Sequence, residues 1–131
     1  MSSQALFHVT VKAVIIHEGK ILLLKKVQPS ADGLGVWELP GGGMEYKEGP
    51  ENALIREVRE ETGLELASLH IAATFHVVRS NLEIVGLNYR CTPVDVAVKL
   101  SDEHETYCWV RPDELDQYVS PKIYHDILKS V

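Results

Sequence analysis

The chain has 131 residues, with 13 Lys+Arg against 19 Asp+Glu and a formal net charge of −6, a length that suits one domain over residues 1–131. Its 45% hydrophobic and 24% charged content supports a packed core and excludes intrinsic disorder, and the negative balance argues against a binder of nucleic-acid polymers. The acidity is local. Residues 45–61 carry Glu45, Glu48, Glu51, Glu57, Glu60 and Glu61 against Lys47, Arg56 and Arg59, and residues 101–116 carry Asp102, Glu103, Glu105, Asp113, Glu114 and Asp116 against Arg111 alone.

The start, Met1 to His8, lacks the basic stretch, apolar run and cleavage site of a secretory signal. No aliphatic run approaches the ~20 residues needed to cross a bilayer, so neither membrane insertion nor a membrane partner is expected. His8–His17 reads as a strand with Val9, Val11, Ala13 and Ile15 on one side, Glu18-Gly19 as a turn, and Lys20–Lys26 as the returning strand. Residues 27–36 read as a loop, Trp37-Glu38-Leu39 as a short extended piece, and Gly41–Gly43 as a sharp turn. A helix is predicted from Pro50 to Thr62, with proline in its first turn and Gly63 positioned to stop it. Residues 65–78 and 84–99 read as long strands and Glu105–Val110 as a shorter one, with short helices at Pro112–Tyr118 and Pro121–Val131. An internal helix between groups of strands predicts a mixed sheet flanked by helices. Cys91 and Cys108 both fall in strand-like segments and are read as free thiols in a reducing cytoplasm, with one disulfide as the alternative, and without zinc-binding spacing.

In the predicted helix, Leu54, Ile55 and Val58 share the stripe that packs on a sheet, and Glu57, Glu60 and Glu61 form a patch beside it. Like charges at these spacings cost a helix only about 0.2–0.5 kcal/mol per pair, so a solvated acidic face would carry the same pattern. The neighbouring glycine-rich turn favours a second reading. Carboxylates that converge beside a packed stripe suit a hard divalent cation, and such cations bind together with phosphate-bearing substrates.

From Gly42 the chain reads Gly42-x5-Glu48-x7-Arg56-Glu57-Val58-x-Glu60-Glu61-x-Gly63-Leu64. This resembles the Nudix box, with every specified position filled. Trp37-Glu38-Leu39-Pro40-Gly41-Gly42 is similar to the usual entry to that box, and Trp109-Val110 followed by Asp113-Glu114-Leu115 resembles a common family ending. The resemblance implies an α/β (α+β) fold, with a mixed β-sheet sandwiched between helices (α/β/α) and the box as loop–helix–loop. It implies hydrolysis of a nucleoside diphosphate linked to another moiety, with Mg2+ or Mn2+ as cofactor. Glu57, Glu60 and Glu61 would be the metal-binding carboxylates and Gly41 or Gly42 a backbone carbonyl ligand. Arg56 would orient Glu57, Glu48 would support the loop, and Gly63 would close the helix. Glu57 is the first candidate for general base. In some relatives that role falls to a glutamate outside the box, for which Glu103 and Glu105 are the candidates here, against a solvated loop before a strand.

Lys25, Lys26, Arg79 and Arg90 are candidates for substrate phosphates, against ordinary exposed cations. Trp37, Phe75 and Tyr89 are candidates for stacking on a base, with core packing as the default, and His76 is read as a satisfied interior or edge histidine. The compact length resembles the MutT-like branch, and neither of the downstream marks of ADP-ribose or dinucleoside polyphosphate hydrolases occurs in Thr74–Asn81. The reading is therefore pyrophosphohydrolysis of a (d)NTP to a monophosphate and pyrophosphate. ADP-ribose or another nucleotide sugar is the alternative in the same class, and a non-catalytic nucleotide sensor the alternative outside it. The expected partner is a free nucleotide, and the expected assembly a monomer or homodimer.

Overall fold

The computed structural model describes residues 6–27 and 35–131. The expected signal-free start up to Ala5, and residues 28–34 of the expected loop, lie outside that range. Among the described residues seven strands form one mixed sheet: β1 (Leu6–His17), β2 (Lys20–Lys26), β3 (Trp37–Glu38), β4 (Gly41–Gly43), β5 (Leu66–Arg79), β6 (Leu82–Pro93) and β7 (His104–Val110). The helices are α1 (Pro50–Thr62) and α2 (Pro121–Leu128), preceded by a 3-10 turn at Pro112–Gln117.

β1 is the axis of the sheet. It runs parallel to β6 from Leu6 to Ile15. Its other edge is shared, with β4 against Thr10–Lys12 and β2 against Ile16–His17. The sheet therefore forks between β4 and β2, and the chain from Trp37 to Gly43 bridges the fork. β7 pairs with the far edge of β2, and β5 with the far edge of β6.

Both faces of the centre are covered, which explains the unbroken apolar runs Ala13–Ile16 and Ile21–Leu24. Val11, Ala13, Ile15, Leu22 and Leu24 pack with Ala53, Leu54 and Val58 of α1, together with Tyr89 and Cys91. Val14, Ile21 and Leu23 pack on the opposite side with Leu115 and Ile127. The expected α/β/α layering is what the chain forms. Tyr89 takes its default core role, and both cysteines are free thiols.

α1 has the predicted limits. Pro50 opens it, and Gly63 closes it in a left-handed conformation (φ 72°), donating its N–H to Arg59 O. Elsewhere the elements depart from expectation. Gly41–Gly43 is a strand rather than a turn, because β1 supplies it with a ladder at Thr10–Lys12. The strand expected over 84–99 ends at Pro93. Beyond it, the backbone N–H groups of Lys99 and Ser101 donate to Thr62 O and Glu61 O, carbonyls that the end of α1 leaves unpaired. The first C-terminal helix is 3-10 in form, and the second ends at Leu128 rather than Val131. His76 lies on the edge strand β5, exposed and bonded to Glu83 at 2.6 Å, and is thus a satisfied edge histidine.

Candidate active site

The box folds around Arg56. Its guanidinium bonds Glu48 through Nε and Nη2, donates from Nη2 to Gly43 O (3.0 Å), and donates from Nη1 to Glu57 Oε1 (3.0 Å) and Glu60 Oε2 (3.4 Å). One planar cation thus ties loop, strand and helix together through several fixed donors. Arg56 and the Glu45 N–H hold the Glu48 carboxyl down to about 2, and Glu48 and Glu57 in turn raise the Arg56 pKa.

α1 is docked so that its carboxylates meet the backbone of β4. Gly41 N–H donates to Glu61 Oε1 at 2.9 Å. At Gly42 an added Cβ would lie 2.6 to 2.7 Å from the Glu57 carboxyl atoms, so glycine leaves the space that this carboxylate occupies against β4. Glu61 is 5% exposed. Burial pushes its carboxyl up to about 7, with Glu57 and Glu38 adding repulsion against the partial relief of the Gly41 N–H and Lys12. Burial likewise raises Glu57, and Glu60 and Glu103 push in the same direction against Arg56.

The opposite wall comes from the fork in the sheet. A cleft of about 370 Å3 is lined by Lys26, Val27, Glu38, Asp102, Glu103 and His104. A bulge in β7 shapes this wall. Lys25 pairs with Thr106 but Lys26 pairs with His104, which leaves Glu105 without a partner in the ladder. Glu105 turns to Lys25 (3.0 Å), while His104 turns inward and meets Glu38 Oε2 through Nε2 (2.9 Å). Glu38 Oε1 faces Lys12 at 3.6 Å and Lys26 at 3.8 Å. Carboxylate oxygens of Glu61 and Glu103 and a ring nitrogen of His104 lie within 4.8 Å of one another.

Glu57, Glu61, Arg56, Glu48, Gly41, Gly42 and Glu103 are thus brought together. Glu60 stands at the rim, its side chain 58% exposed, and Gly63 serves as the helix stop. Lys26 lines the cleft, whereas Lys25 is engaged with Glu105. Arg79 lies at the far end of the β5–β6 hairpin, opposite Leu82, which pairs with Leu6. Lys12, opposite Gly41, is six residues further along β1, about 20 Å at the rise of a strand. Arg90 is exposed, on the β6 face opposite Tyr89 and Cys91. Trp37 packs edge-on against Tyr118 and Phe75 covers Gly86.

Lys12, Glu38 and His104 were not among the site residues expected from the sequence. Glu38 stood inside a quoted motif without a role, and His104 lay between the candidate glutamates Glu103 and Glu105. The sign of Lys12 was only a cation interrupting the apolar run of β1. A wider depression of about 480 Å3, beside the Glu18-Gly19 turn, contains none of the box residues.

The donor set fits a hard divalent cation. Burial first, and like-charged neighbours second, raise the Glu57 and Glu61 carboxyls, so a cation beside them would relieve the cost of ionising both.

Comparison with known proteins agrees with this geometry. A family model described as the NUDIX domain matches residues 6–129. A MutT-like protein of Streptomyces ambofaciens is 34% identical over 117 residues, covering 88% of this chain and 71% of its own. The CTP pyrophosphohydrolase of Escherichia coli K12 is 35% identical over 108 residues, covering 82% and 78%. Among solved structures, the MutT protein of Methanosarcina mazei Go1 superposes with a TM-score of 0.82 at 29% identity, covering 98% of this chain and 94% of its own. The MutT NUDIX hydrolase of Burkholderia pseudomallei superposes with a TM-score of 0.81 at 25% identity, covering 95% and 98%. No helix among the described residues is long and apolar enough to cross a membrane. With an intact box folded around Arg56 and its carboxylates gathered against β4, the chain belongs to the Nudix family and is a Nudix pyrophosphohydrolase, a divalent-metal-dependent hydrolase of phosphoanhydride bonds.

Proposed function

We propose that this chain hydrolyses a nucleoside or deoxynucleoside triphosphate to the monophosphate and pyrophosphate, in the cytoplasm and as a single domain over 1–131. The observation that carries the reading is the buried Glu61 and half-buried Glu57, held against the Gly41–Gly42 backbone, with Glu103 close to Glu61. Two relatives support the substrate class, since one is named a CTP pyrophosphohydrolase and another, from Escherichia coli and 32% identical, a nucleoside triphosphatase.

In this proposal Glu57, Glu60, Glu61 and Glu103, with the Gly41 carbonyl, hold Mg2+ or Mn2+. When bound, such an ion offsets phosphate charge and lowers the pKa of an attacking water. The remaining work belongs to the protein. Water attacks a phosphorus of the triphosphate, its oxygen forms the new P–O bond, and the bridging oxygen leaves with the bonding pair. Glu57 accepts the water proton. Its carboxylate is suited to that step because burial makes it a stronger base than a free glutamate, and the Arg56 bond to Oε1 orients it. Lys26, on the cleft wall, faces the anionic polyphosphate.

The test is hydrolysis of a panel of nucleoside triphosphates and nucleotide sugars with Mg2+ in oxygen-18 water. The expected products are a monophosphate and pyrophosphate from a triphosphate, with the label in one of them identifying the attacked phosphorus. Release of orthophosphate and diphosphate, or turnover confined to nucleotide sugars, would overturn the assignment.

A further inference from the structure

His104 is among the most deeply enclosed polar side chains of the described residues, 1% exposed, and it is only half satisfied. Its Nε2 meets the Glu38 carboxylate at 2.9 Å, whereas its Nδ1 is buried and has no hydrogen-bond partner. A buried polar atom without a partner is costly and uncommon in folded proteins, and it calls for an explanation. His104 also offers a ring nitrogen within 4.8 Å of carboxylate oxygens of both Glu61 and Glu103.

The partner on the other ring nitrogen decides what Nδ1 offers. A carboxylate only accepts, so the Glu38 contact places a proton on Nε2. In the neutral ring, Nδ1 is then a lone pair. Glu38 is itself held by Lys12 at 3.6 Å and Lys26 at 3.8 Å, which fixes the plane and direction of the imidazole. A carboxylate behind a histidine, with the second nitrogen free, is the arrangement by which proteins orient an imidazole ligand toward a metal. Two donors each about 2.1 Å from one ion can be at most about 4.2 Å apart, so atoms within 4.8 Å of one another need only a small contraction to share one cation.

We infer that His104, through Nδ1, is a nitrogen ligand to a divalent cation shared with Glu61 and Glu103, with Glu38 as its orienting partner. This rests on the reading that Glu61 and Glu103 hold metal, and it changes the chemistry of the site. An all-oxygen site suits Mg2+, whereas an imidazole nitrogen favours a first-row transition ion at the same position.

The test uses Mn2+ as both probe and ligand, with pulsed electron paramagnetic resonance of the loaded protein. The expected result is the hyperfine coupling of a directly bound 14N nucleus, replaced by the 15N pattern in protein labelled at histidine and absent in His104→Gln. Titration should show His104→Gln losing about tenfold or more in Mn2+ affinity while Mg2+ affinity changes less, and Glu38→Ala losing Mn2+ affinity about 10- to 100-fold. Bound Mn2+ without nitrogen coupling in the unmutated protein would overturn the inference and leave the carboxylate site standing. Coupling that persists in His104→Gln would overturn it as well, by assigning the nitrogen to another histidine. Failure to bind millimolar Mn2+ would remove the metal reading altogether. The unmutated protein decides the first and last outcomes even if a variant fails to fold.

Discussion

Glu61→Gln removes one negative charge from the most buried carboxylate of the box, and its effect on stability follows from the environment described above. The Glu61 carboxyl is pushed from its ordinary 4.5 up to about 7 by burial and by Glu57 and Glu38. By linkage, that difference corresponds to about 3 kcal/mol against the ionised form in the folded state. The sign runs with pH. A raised carboxyl contributes stability that is fully present below about 4.5 and is lost as pH rises through about 7, because between those values only the folded state keeps the proton. Glutamine stays neutral throughout and can still accept the Gly41 N–H now bonded to Glu61 Oε1. At pH 8 in chelator, Glu61→Gln should therefore be more stable than the unmutated chain by about 2–3 kcal/mol, or about 10 °C in Tm for a domain of this size. Near pH 4.5 the gap should close. Excess Mg2+ at pH 8 should raise the unmutated chain by about 2.7 kcal/mol at 100 times Kd and leave the variant almost unmoved. Thermal and urea melts across pH, with and without metal, measure all three. A variant that is no more stable than the parent at pH 8 in chelator would refute the argument that Glu61 is an electrostatic liability in the absence of a cation.

Glu57→Gln should lower kcat by at least 10²–10⁴-fold, as expected for loss of a general base, with an unchanged circular dichroism spectrum; near-normal kcat would remove Glu57 from the proposed chemistry. Gly42→Ala must displace the Glu57 carboxyl, because the new methyl would lie 2.6 Å from it; a shift of that kind should cost about 10²-fold in kcat, read in the same assay, with little loss of secondary structure. Leu54→Ala empties a fully buried position beneath α1; denaturant midpoints should show a loss of about 2–5 kcal/mol, while kcat of the folded fraction is unchanged.

Much of this protein is local in the chain, and local features were readable. α1 begins at Pro50 and ends at Gly63 because ring geometry and a left-handed cap act within a few residues. The stripe of Leu54 and Val58 follows from helical periodicity. The box has its spacing because Arg56 must reach Glu48, Gly43 and Glu57 at once. What was not readable depends on partners distant in sequence. Gly41–Gly43 is a strand because Thr10–Lys12 supplies its ladder. The stretch after Pro93 leaves the sheet because it serves the end of α1 at Glu61 and Thr62.

The charged residues divide along the same line. By itself, the sequence determined a set of carboxylates on one helical turn beside a glycine-rich segment, because periodicity and residue type suffice for that, and the class of chemistry followed from the resemblance of the whole Gly42–Leu64 pattern to the Nudix box. Only the tertiary structure decided which other charges join them. Glu103 and His104 reach Glu61 because the chain before β7 runs past the C-terminal end of α1, and one extra residue in β7 sends Glu105 to Lys25 and His104 to Glu38. Arg79, equally plausible as a bare cation, is carried about 20 Å away by the register of a hairpin. A single-residue change of register reverses the face on which a side chain stands, and no property of the side chain itself records it.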